Sequence, residues 1–540
     1  MFKIIIAFCF CLFLEADLFA QKTNSVSSVW VADNGDGLYK NPIIHADYSD
    51  PDAIRVGDDY YMVSSSFNAV PGLPILHSTD LVNWTIIGHA LAKQLPEKDF
   101  DKVQHGNGVW APCLRYHGGM FYIFSPDPDQ GIFVLKSKNI TGPWSLPVLV
   151  EEGKGLIDPC PLWDDDGNVY LAHAYAGSRA GFKSIIVVKQ MNAAADKVIG
   201  KAVMVYDGHV NDATVEGPKF YKRNNYYYIF APAGGVSTGW QMVLRAKNIY
   251  GPYERKVVMN QGKTSINGPH QGAWVTTALG EDWFLHFQDK DAYGRVVLLE
   301  PMGWKNDWPV IGVDKDADGI GEPVLTFKKP NIKIKPVVQS PQENDEFNLP
   351  TLGLQWQWQA NPQQGWAFPT TNGFLTMFCI KQNDSLKNNW MLPNYLSQKF
   401  PAEEFSAVTK LSFHPQNIND KTGLMVFGAD YAFIGLVKKD SGTFINYTFC
   451  TNAEKGSPEI ERHLKKVSAE NIWLKVSVAK NAIASFSYSE DGMSFTNLPD
   501  VFIAKPGKWV GAKIGLFSSS ALKSNNAGYT NVDWFKIEKK

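Results

Sequence analysis

The sequence predicts an all-β protein in which a five-bladed β-propeller is followed by a β-sandwich. The first observation is an aromatic-rich strand pattern that recurs five times, at 60–67 (YYMVSSSF), 120–126, 168–174, 225–232 and 282–288. Successive copies lie about fifty to sixty residues apart, near the length of a four-stranded propeller blade. The second observation is that helical periodicity is nearly absent. The third is a run of regular short strands over the last part of the chain, which is typical of a sandwich.

The chain has 540 residues, which is too long for one ordinary hydrophobic core. We expect the propeller to occupy 38–330 and the sandwich 340–540, with a linker rich in Pro and Lys between them. Strands in the second part alternate clearly, as in LQWQWQA (354–360) and FSYSEDGMSFTNL (486–498). In the latter, Asp491-Gly492 predicts a hairpin turn.

The composition is that of a folded globular protein, with 44% hydrophobic and 20% charged residues and a net charge of −2. This balance gives no electrostatic reason to expect a nucleic acid or an anionic membrane as a partner. Aromatic residues make up 13% of the chain, including 17 Trp. Some of these rings pack in the core, and others are candidates for binding sugars; for Trp356, Trp358 and Trp366 in the second domain we favour packing.

The N-terminus predicts a signal peptide over residues 1–20. A lysine precedes an apolar run from Ile4 to Leu14, and the small residue Ala20 follows. That run is too short to span a bilayer, so we expect a secreted or periplasmic protein without a membrane span. Four cysteines remain after cleavage, too few for a disulfide framework in so large a chain, and their pairing stays open.

A second pattern lies about eleven residues before each aromatic strand and brings acids to equivalent positions of different blades. It reads Asp50-Pro51, Ala111-Pro112, Asp158-Pro159, Glu216-Gly217-Pro218 and Gly268-Pro269-His270. If these positions lie on the innermost strands, their side chains converge on the central channel. Three blades then contribute a carboxylate, and the other two contribute Trp110 and His270.

Three converging carboxylates indicate chemistry, because like charges raise one another's pKa. Glycoside hydrolysis needs two such groups with separated pKa values: a protonated acid for the leaving oxygen, and an ionised base or nucleophile opposite it. The alternative is that these acids are turn or cap residues that happen to recur. Three in register, each beside a proline, favour the functional interpretation.

Five segments in order resemble glycoside hydrolase family 43: NPIIHADYSDPDAIRVGDDYYMVSSSF, GVWAP, GLIDPCPLWDDDGNVYL, VEGPKFYKRNNYYYIFAPAGG and NGPHQGAW. The resemblance covers about 40–310, and 335–540 resembles the concanavalin-like sandwich of β-xylosidase and α-L-arabinofuranosidase members. It implies an inverting exo-glycosidase in which Asp50 is the base, Glu216 the acid and Asp158 the aspartate that raises the pKa of the acid. The implied substrate is a plant-type oligosaccharide or polysaccharide decorated with arabinose or xylose.

The resemblance also implies four substrate-binding residues. Trp110 and Phe67 are candidates for the wall that receives the sugar, and Arg295 for a contact to sugar hydroxyls, against the alternative of a surface salt bridge. His270 resembles a histidine near the channel axis that holds a metal ion or water in some members; the alternative is an ordinary hydrogen-bonded histidine. We expect no required cofactor, with Ca²⁺ in the channel as the metal that His270 would bind.

Two other functions compete with this prediction. A non-catalytic carbohydrate-binding propeller has no need for all three carboxylates. A retaining five-bladed fructosidase needs an NDPNG-type motif and an EC motif, and neither occurs. Between the two pentoses the choice stays open; HADYSDPD and SSSFNAVPGLPILHS favour arabinofuranosidase slightly.

Overall fold

The structure is a computed structural model that describes residues 26–383 and 386–540, apart from the side chain of His463. The predicted signal peptide lies outside these residues. The chain is all-β, with a five-bladed propeller followed by a sandwich, so the predicted fold class is confirmed. Among the described residues, no helix is long and apolar enough to cross a membrane.

Each blade is a four-stranded antiparallel sheet whose strands follow one another in sequence. A short strand, β1 (Leu38–Lys40), precedes the blades. Blade 1 contains β2 (Asp52–Val56), β3 (Asp59–Val63), β4 (Gly72–Ser78) and β5 (Thr85–Leu91). Blade 2 contains β6 (Cys113–His117), β7 (Met120–Asp127), β8 (Gly131–Ser137) and β9 (Val148–Glu152). Blade 3 contains β10 (Leu156–Trp163), β11 (Val169–Tyr175), β12 (Ile185–Met191) and β13 (Val203–Asp207).

Blade 4 contains β14 (Lys219–Arg223), β15 (Tyr226–Ala233), β16 (Trp240–Ala246) and β17 (Glu254–Met259). Blade 5 contains β18 (His270–Thr276), β19 (Asp282–Asp289), β20 (Arg295–Lys305) and β21 (Trp308–Ile311). A further strand, β22 (Thr326–Lys328), returns to pair with β1. The helices of the propeller are single turns: α1 (Glu97–Phe100), α2 (Gly177–Ala180) and a 3₁₀ turn at Asp291–Tyr293.

The first strand of each blade lies nearest the channel. β2 contacts β6 and β18, and β10 contacts β6 and β14. The five aromatic repeats are the second strands, where bulky rings fill the space between blades. The first repeat ends earlier than predicted, at Val63 instead of Phe67. The extra residues turn towards the channel: Ser65 donates to Asp50, and Phe67 has a left-handed backbone (φ 49°).

The second domain packs two sheets face to face. One sheet has the order β23-β27-β36-β29-β30-β31-β32, with β26 parallel to β36, and the other has the order β24-β25-β37-β28-β33-β34-β35. The strands are β23 (Gln357–Trp358), β24 (Ala367–Pro369), β25 (Leu375–Phe378), β26 (Ile380–Lys381), β27 (Leu396–Lys399), β28 (Phe405–His414), β29 (Lys421–Phe427), β30 (Tyr431–Lys439), β31 (Gly442–Cys450), β32 (Ile460–Val467), β33 (Asn471–Ala479), β34 (Ile483–Ser489), β35 (Thr496–Ile503), β36 (Lys513–Ser520) and β37 (Tyr529–Glu538). Three 3₁₀ turns lie at Asn389–Met391, Ala453–Lys455 and Lys480–Ala482.

One local prediction for this domain needs correction: only Gln357–Trp358 of the LQWQWQA segment forms a strand. The predicted hairpin is present, because β34 and β35 pair antiparallel and Asp491-Gly492 lies in the connection 490–495 between them. The Asp491 carboxylate accepts the backbone N–H groups of Met493 and Ser494, which stabilises this turn. The three tryptophans Trp356, Trp358 and Trp366 are buried, and the four cysteines Cys113, Cys160, Cys379 and Cys450 are buried and unpaired.

The propeller and the sandwich share a continuous interface. Val70 and Trp358 exchange two backbone hydrogen bonds of 3.0 and 2.7 Å. Tyr293 of blade 5 packs in the core of the sandwich, and its hydroxyl accepts the backbone N–H of Ala482 at 2.8 Å. The Ala512 N–H donates to the Ala292 carbonyl at 2.7 Å, so the interface also includes the sandwich loop 505–512.

Candidate active site

A shared backbone conformation marks the position where the inner strands begin. In four blades the residue directly before a proline is left-handed: Asp50 (φ 54°), Asp158 (φ 57°), Gly217 (φ 60°) and Gly268 (φ 47°). Such backbone is uncommon for residues other than glycine and is concentrated at functional sites. The four positions are structurally equivalent, and two of them carry an aspartate.

Glu216 is therefore one residue out of register with the two aspartates. The residue equivalent to Asp50 and Asp158 is Gly217, whose backbone N–H donates to Asp158 Oδ2 at 2.7 Å. The shift leaves the Glu216 side chain 31% exposed, whereas Asp50 and Asp158 are 7% and 3% exposed. The structure thus brings the three predicted carboxylates together, with the glutamate facing the open side.

Asp50 is surrounded by hydrogen-bond donors. The hydroxyls of Ser49 and Ser65 donate to Asp50 Oδ2 at 2.8 and 2.5 Å. Arg295 Nη1 lies 3.2 Å from Asp50 Oδ1 and also donates to the Ser49 hydroxyl at 2.9 Å. These donors stabilise negative charge on Asp50. Arg295 is itself buried, so the alternative of a surface salt bridge is excluded, and its guanidinium contacts the aspartate directly.

The three carboxyl groups differ in electrostatic environment. Burial, followed by the charges of Asp158 and Asp50, raises the pKa of Glu216 to about 8. Burial raises the pKa of Asp158 to about 6, with a further contribution from Asp50, while the hydrogen bond from Gly217 and the charge of Lys219 act in the opposite direction. Glu216 is consequently protonated near neutral pH, as a general acid must be.

A buried layer of charge beneath the site was not predicted from the sequence. Asp52 Oδ2 accepts Arg115 Nη1 at 2.8 Å and the backbone N–H of Leu114 at 2.7 Å, and Lys219 Nζ lies 3.6 Å from Asp52 Oδ1. Lys219 follows the Glu216-Gly-Pro segment by one residue and is almost fully buried. The available signal was that Lys219 and Arg115 lie near the start of inner strands, but lysine and arginine side chains are usually exposed.

Trp110 and Phe67 lie together, with ring centroids 6.4 Å apart. Trp110 is partly exposed, and its indole N–H donates to the Gly106 carbonyl at 2.9 Å, which fixes the ring. Phe67 is only 3% exposed, so its ring supports Trp110 more than it presents a face of its own. The guanidinium of Arg179 lies 5.5 Å above the Trp110 ring.

The sandwich supplies a second tryptophan to this wall. Trp509 is 46% exposed, has a left-handed backbone (φ 67°), and its ring lies 6.0 Å from that of Trp110. Gly106 permits the approach, because a Cβ there would lie 2.8 Å from Lys508 Cγ and 2.9 Å from Trp509 Cδ1. Sequence reasoning missed Trp509; the sequence Gly507-Lys508-Trp509-Val510-Gly511, an aromatic residue between glycines, was the only signal.

His270 begins β18 and is 1% exposed. Burial and the charge of Arg295 lower its pKa to about 3, so the ring is neutral. Nε2 lies 3.4 Å from Glu216 Oε1, and neither ring nitrogen has a hydrogen-bond partner in the described protein. Calcium prefers six to eight oxygens, and among the described residues the one group of three acids or histidines within reach of an ion is Asp314, Asp316 and Asp318. The donors around His270 therefore fit water better than calcium.

A five-bladed propeller that gathers two buried aspartates and a protonated glutamate at the start of its inner strands defines a glycoside hydrolase. Comparison with known proteins identifies the family of glycoside hydrolases to which the chain belongs. The chain belongs to glycosyl hydrolases family 43, whose model matches residues 39–309. Residues 344–538 match the β-xylosidase C-terminal concanavalin A-like domain. The predicted family is confirmed.

Relatives align over most of the chain. A putative β-xylosidase of Xylanibacter ruminicola is 39% identical over 490 residues, covering 90% of this chain and 87% of the relative. A non-reducing end α-L-arabinofuranosidase of Bacteroides ovatus is 31% identical over 424 residues, covering 73% and 74%. The crystal structure of the family 43 protein BlXynB of Bacillus licheniformis superposes with a TM-score of 0.79 at 26% identity, covering 93% of this chain and all of that one.

We expect Glu216→Gln to raise the thermal midpoint at about pH 8.5 and to change it much less at about pH 5. The pKa of Glu216 in the folded protein, about 8, lies above its ordinary value of 4.5. The folded protein therefore retains a proton that the unfolded chain releases, and stability is lost as the pH rises from 4.5 towards 8. Glutamine carries no charge and avoids this loss. Thermal scans at both pH values, with Glu538→Gln at an exposed position as control, check the difference; equal shifts at both pH values would contradict it.

Truncation of Trp509 is expected to weaken substrate binding. Trp509→Ala removes an apolar ring face of the wall, which corresponds to about 1–2 kcal/mol, or roughly tenfold in kcat/KM. Steady-state kinetics on an aryl pentoside measure this loss. Phe368→Ala removes an equally exposed aromatic residue elsewhere on the sandwich (49% exposed) and serves as the control. Equal kinetics for both variants would show that Trp509 does not contact the sugar.

Proposed function

We propose that this enzyme is a secreted or periplasmic, inverting exo-glycosidase that releases a pentose, α-L-arabinofuranosyl or β-D-xylosyl, from plant cell-wall polysaccharides or oligosaccharides. The observation that carries the proposal is the contrast between two carboxyl groups. Glu216 is held protonated by burial and by its neighbours, whereas Asp50 is surrounded by donors that favour its negative charge. An acid and a base prepared in this way are what hydrolysis with inversion requires.

In the proposed reaction Asp50 removes a proton from water as the water oxygen attacks the anomeric carbon. Glu216 gives its proton to the glycosidic oxygen as the bond between that oxygen and the anomeric carbon breaks. Asp158 does not touch the sugar in this scheme; burial of Glu216, and then the charge of Asp158, keep the pKa of Glu216 high. Inverting pairs stand roughly 6.5–9.5 Å apart, which leaves room for the water between the base and the anomeric carbon.

Two relatives that share 39% and 31% identity carry the names of a putative β-xylosidase and an α-L-arabinofuranosidase. They support a pentose as substrate and leave both sugars as candidates. A wall formed by Trp110 and Trp509 from different domains supports binding of a single terminal sugar, hence exo action. Arg295 and His270 are proposed to bind sugar hydroxyls, directly or through water, from the side of the base and the acid.

Export is proposed from the N-terminal sequence, and the substrate polymer from the family resemblance. The proposed steps use carboxyl groups and water, and we propose that no cofactor is required. Calcium at His270 stays a prediction that its surroundings do not favour, and no step depends on it. The non-catalytic alternative does not hold, because the chain belongs to a family of hydrolases.

Removal of either proposed catalytic carboxyl group should abolish most turnover. We expect Asp50→Ala and Glu216→Ala each to lower kcat by about 10²–10⁴-fold on oligosaccharides that end in α-L-arabinofuranose or β-D-xylopyranose, because a sugar leaving group needs a proton from the acid. Asp58→Asn, in the exposed turn of the same segment, is the control and should match the unchanged protein. Fragments of arabinoxylan, arabinan and xyloglucan then identify the natural linkage. Retention of activity in either alanine variant, or inertness of the unchanged protein on all substrates, would contradict the proposal.

The stereochemical course is predicted to be inversion. Proton NMR during early turnover reports the anomer that forms first, before mutarotation. An α-arabinofuranoside should yield the β-anomer, and a β-xyloside the α-anomer. Net retention would show that one carboxylate acts as a nucleophile and would exclude Asp50 as a base.

A further inference from the structure

Asp47 is a buried carboxylate three residues before Asp50 that no step of the proposed mechanism uses. It is 4% exposed and accepts hydrogen bonds from two distant parts of the chain. Oδ1 accepts the backbone N–H of Arg295 in blade 5 at 2.9 Å, and Oδ2 accepts the backbone N–H of Gly511 in the sandwich at 2.9 Å. One side chain of blade 1 therefore joins the last blade to the second domain.

Glycines at both contacts allow this close approach. A Cβ on Gly294 would lie 2.5 Å from Asp47 Cγ, and a Cβ on Gly511 would lie 2.6 Å from the Gly294 nitrogen. The neighbouring Ala512 N–H donates to the Ala292 carbonyl at 2.7 Å, which holds the two segments side by side. The geometry leaves little freedom for the sandwich loop to shift relative to Arg295.

Arg295 carries the contact onward to the proposed base. Its backbone is held by Asp47, while its guanidinium Nη1 donates to Ser49 at 2.9 Å and lies 3.2 Å from Asp50. Ser49 in turn donates to Asp50 at 2.8 Å. The sandwich backbone and the base are thus joined through two side chains.

The negative charge of Asp47 is also complementary to two lysines on the sandwich. Lys399 and Lys513 are cross-strand partners on β27 and β36. Burial lowers the pKa of both, to about 8 for Lys513, and the negative charge of Asp47 acts in the opposite direction on each. Asp289 is a further acid near Asp47; burial raises its pKa, and the charge of Asp47 adds to this effect. Asp47 therefore supplies negative charge where the sandwich brings two lysines.

We propose that Asp47 is a positioning residue through which the docked sandwich sets the orientation of Arg295 and hence of Asp50. The inference rests on the proposed role of Asp50 as base. It assigns the sandwich a part in turnover itself, separate from the binding wall that Trp509 provides.

The first test is Asp47→Asn. Asparagine has one acceptor oxygen, so it can keep only one of the two backbone links, and it loses the charge opposite the two lysines. We expect kcat on an aryl pentoside to fall about 10–100-fold with KM changed less than about threefold, because a small misplacement of catalytic groups lowers turnover steeply. Kinetics are measured well below the thermal midpoint of each variant.

Asp345→Asn is the matched control. The two carboxylate oxygens of Asp345 each accept a backbone N–H, from Phe347 at 2.8 Å and from Gly353 at 3.2 Å, and both donors lie within the sandwich. This variant should lose thermal stability while its kcat stays within about twofold of the unchanged protein. If Asp47 had a structural role alone, Asp47→Asn would behave like the control, with lower thermal stability and a nearly unchanged kcat.

Gly511→Ala tests the same link from the sandwich side, with Asp47 intact, and should also lower kcat more than KM. A folded Asp47→Asn protein, or a folded Gly511→Ala protein if the first does not fold, with kcat within about twofold of the unchanged enzyme would overturn the proposal. If neither variant folds, the link serves folding and the proposal also fails. Full activity of Asp50→Ala would instead refute the proposed function, whereas an inactive Asp50→Ala beside a fully active Asp47→Asn would refute only the positioning role.

Discussion

Crowding of negative charge at the start of the inner strands is the constraint on which the rest of the site depends. Three carboxyl groups within electrostatic reach of one another disfavour the folded state unless one keeps a proton or cations lie close. Both solutions are present. Glu216 retains a proton near neutral pH, and Arg295 faces Asp50 while Lys219 acts on Asp158. Together with burial, the same crowding that is unfavourable for stability raises the pKa of Glu216, the proposed acid.

A left-handed backbone conformation that recurs at equivalent positions of the blades places the acids of this cluster. Asp50 and Asp158 adopt left-handed conformations that cost about 1–3 kcal/mol each in residues other than glycine. In blade 4 glycine occupies that position, and the acid moves one residue earlier. The exchange has two consequences: Gly217 offers its N–H to Asp158, and Glu216 turns to the exposed side where a leaving group would lie. The departure from strict repetition therefore places Glu216 in surroundings that differ from those of the two aspartates.

Much of the fold and the acid cluster followed from the sequence because both depend on repeated, local signals. Aromatic strands at regular spacing identified the second strand of every blade, and the prolines identified the start of the inner strands. The features that were not predicted depend on contacts between residues far apart in the sequence. The one-residue shift of Glu216 depends on φ at Gly217, which a motif written as Glu-Gly-Pro does not display. Trp509, Asp52 and Lys219 become significant only when blades and domains are assembled. Arg295 was a candidate from the family resemblance, but its contact with Asp50 was not predicted.

In the proposed mechanism the two domains act together. The wall beside the channel needs Gly106 so that Trp509 can reach Trp110, and the base side needs Gly511 so that the sandwich backbone can reach Asp47. These contacts lie on different sides of the same short loop, 505–512, so a displacement of the sandwich would affect the sugar wall and the support of Arg295 together. A change in this loop that reshapes the wall is therefore expected to act on the proposed base as well, unless the glycine contacts on the other side are kept.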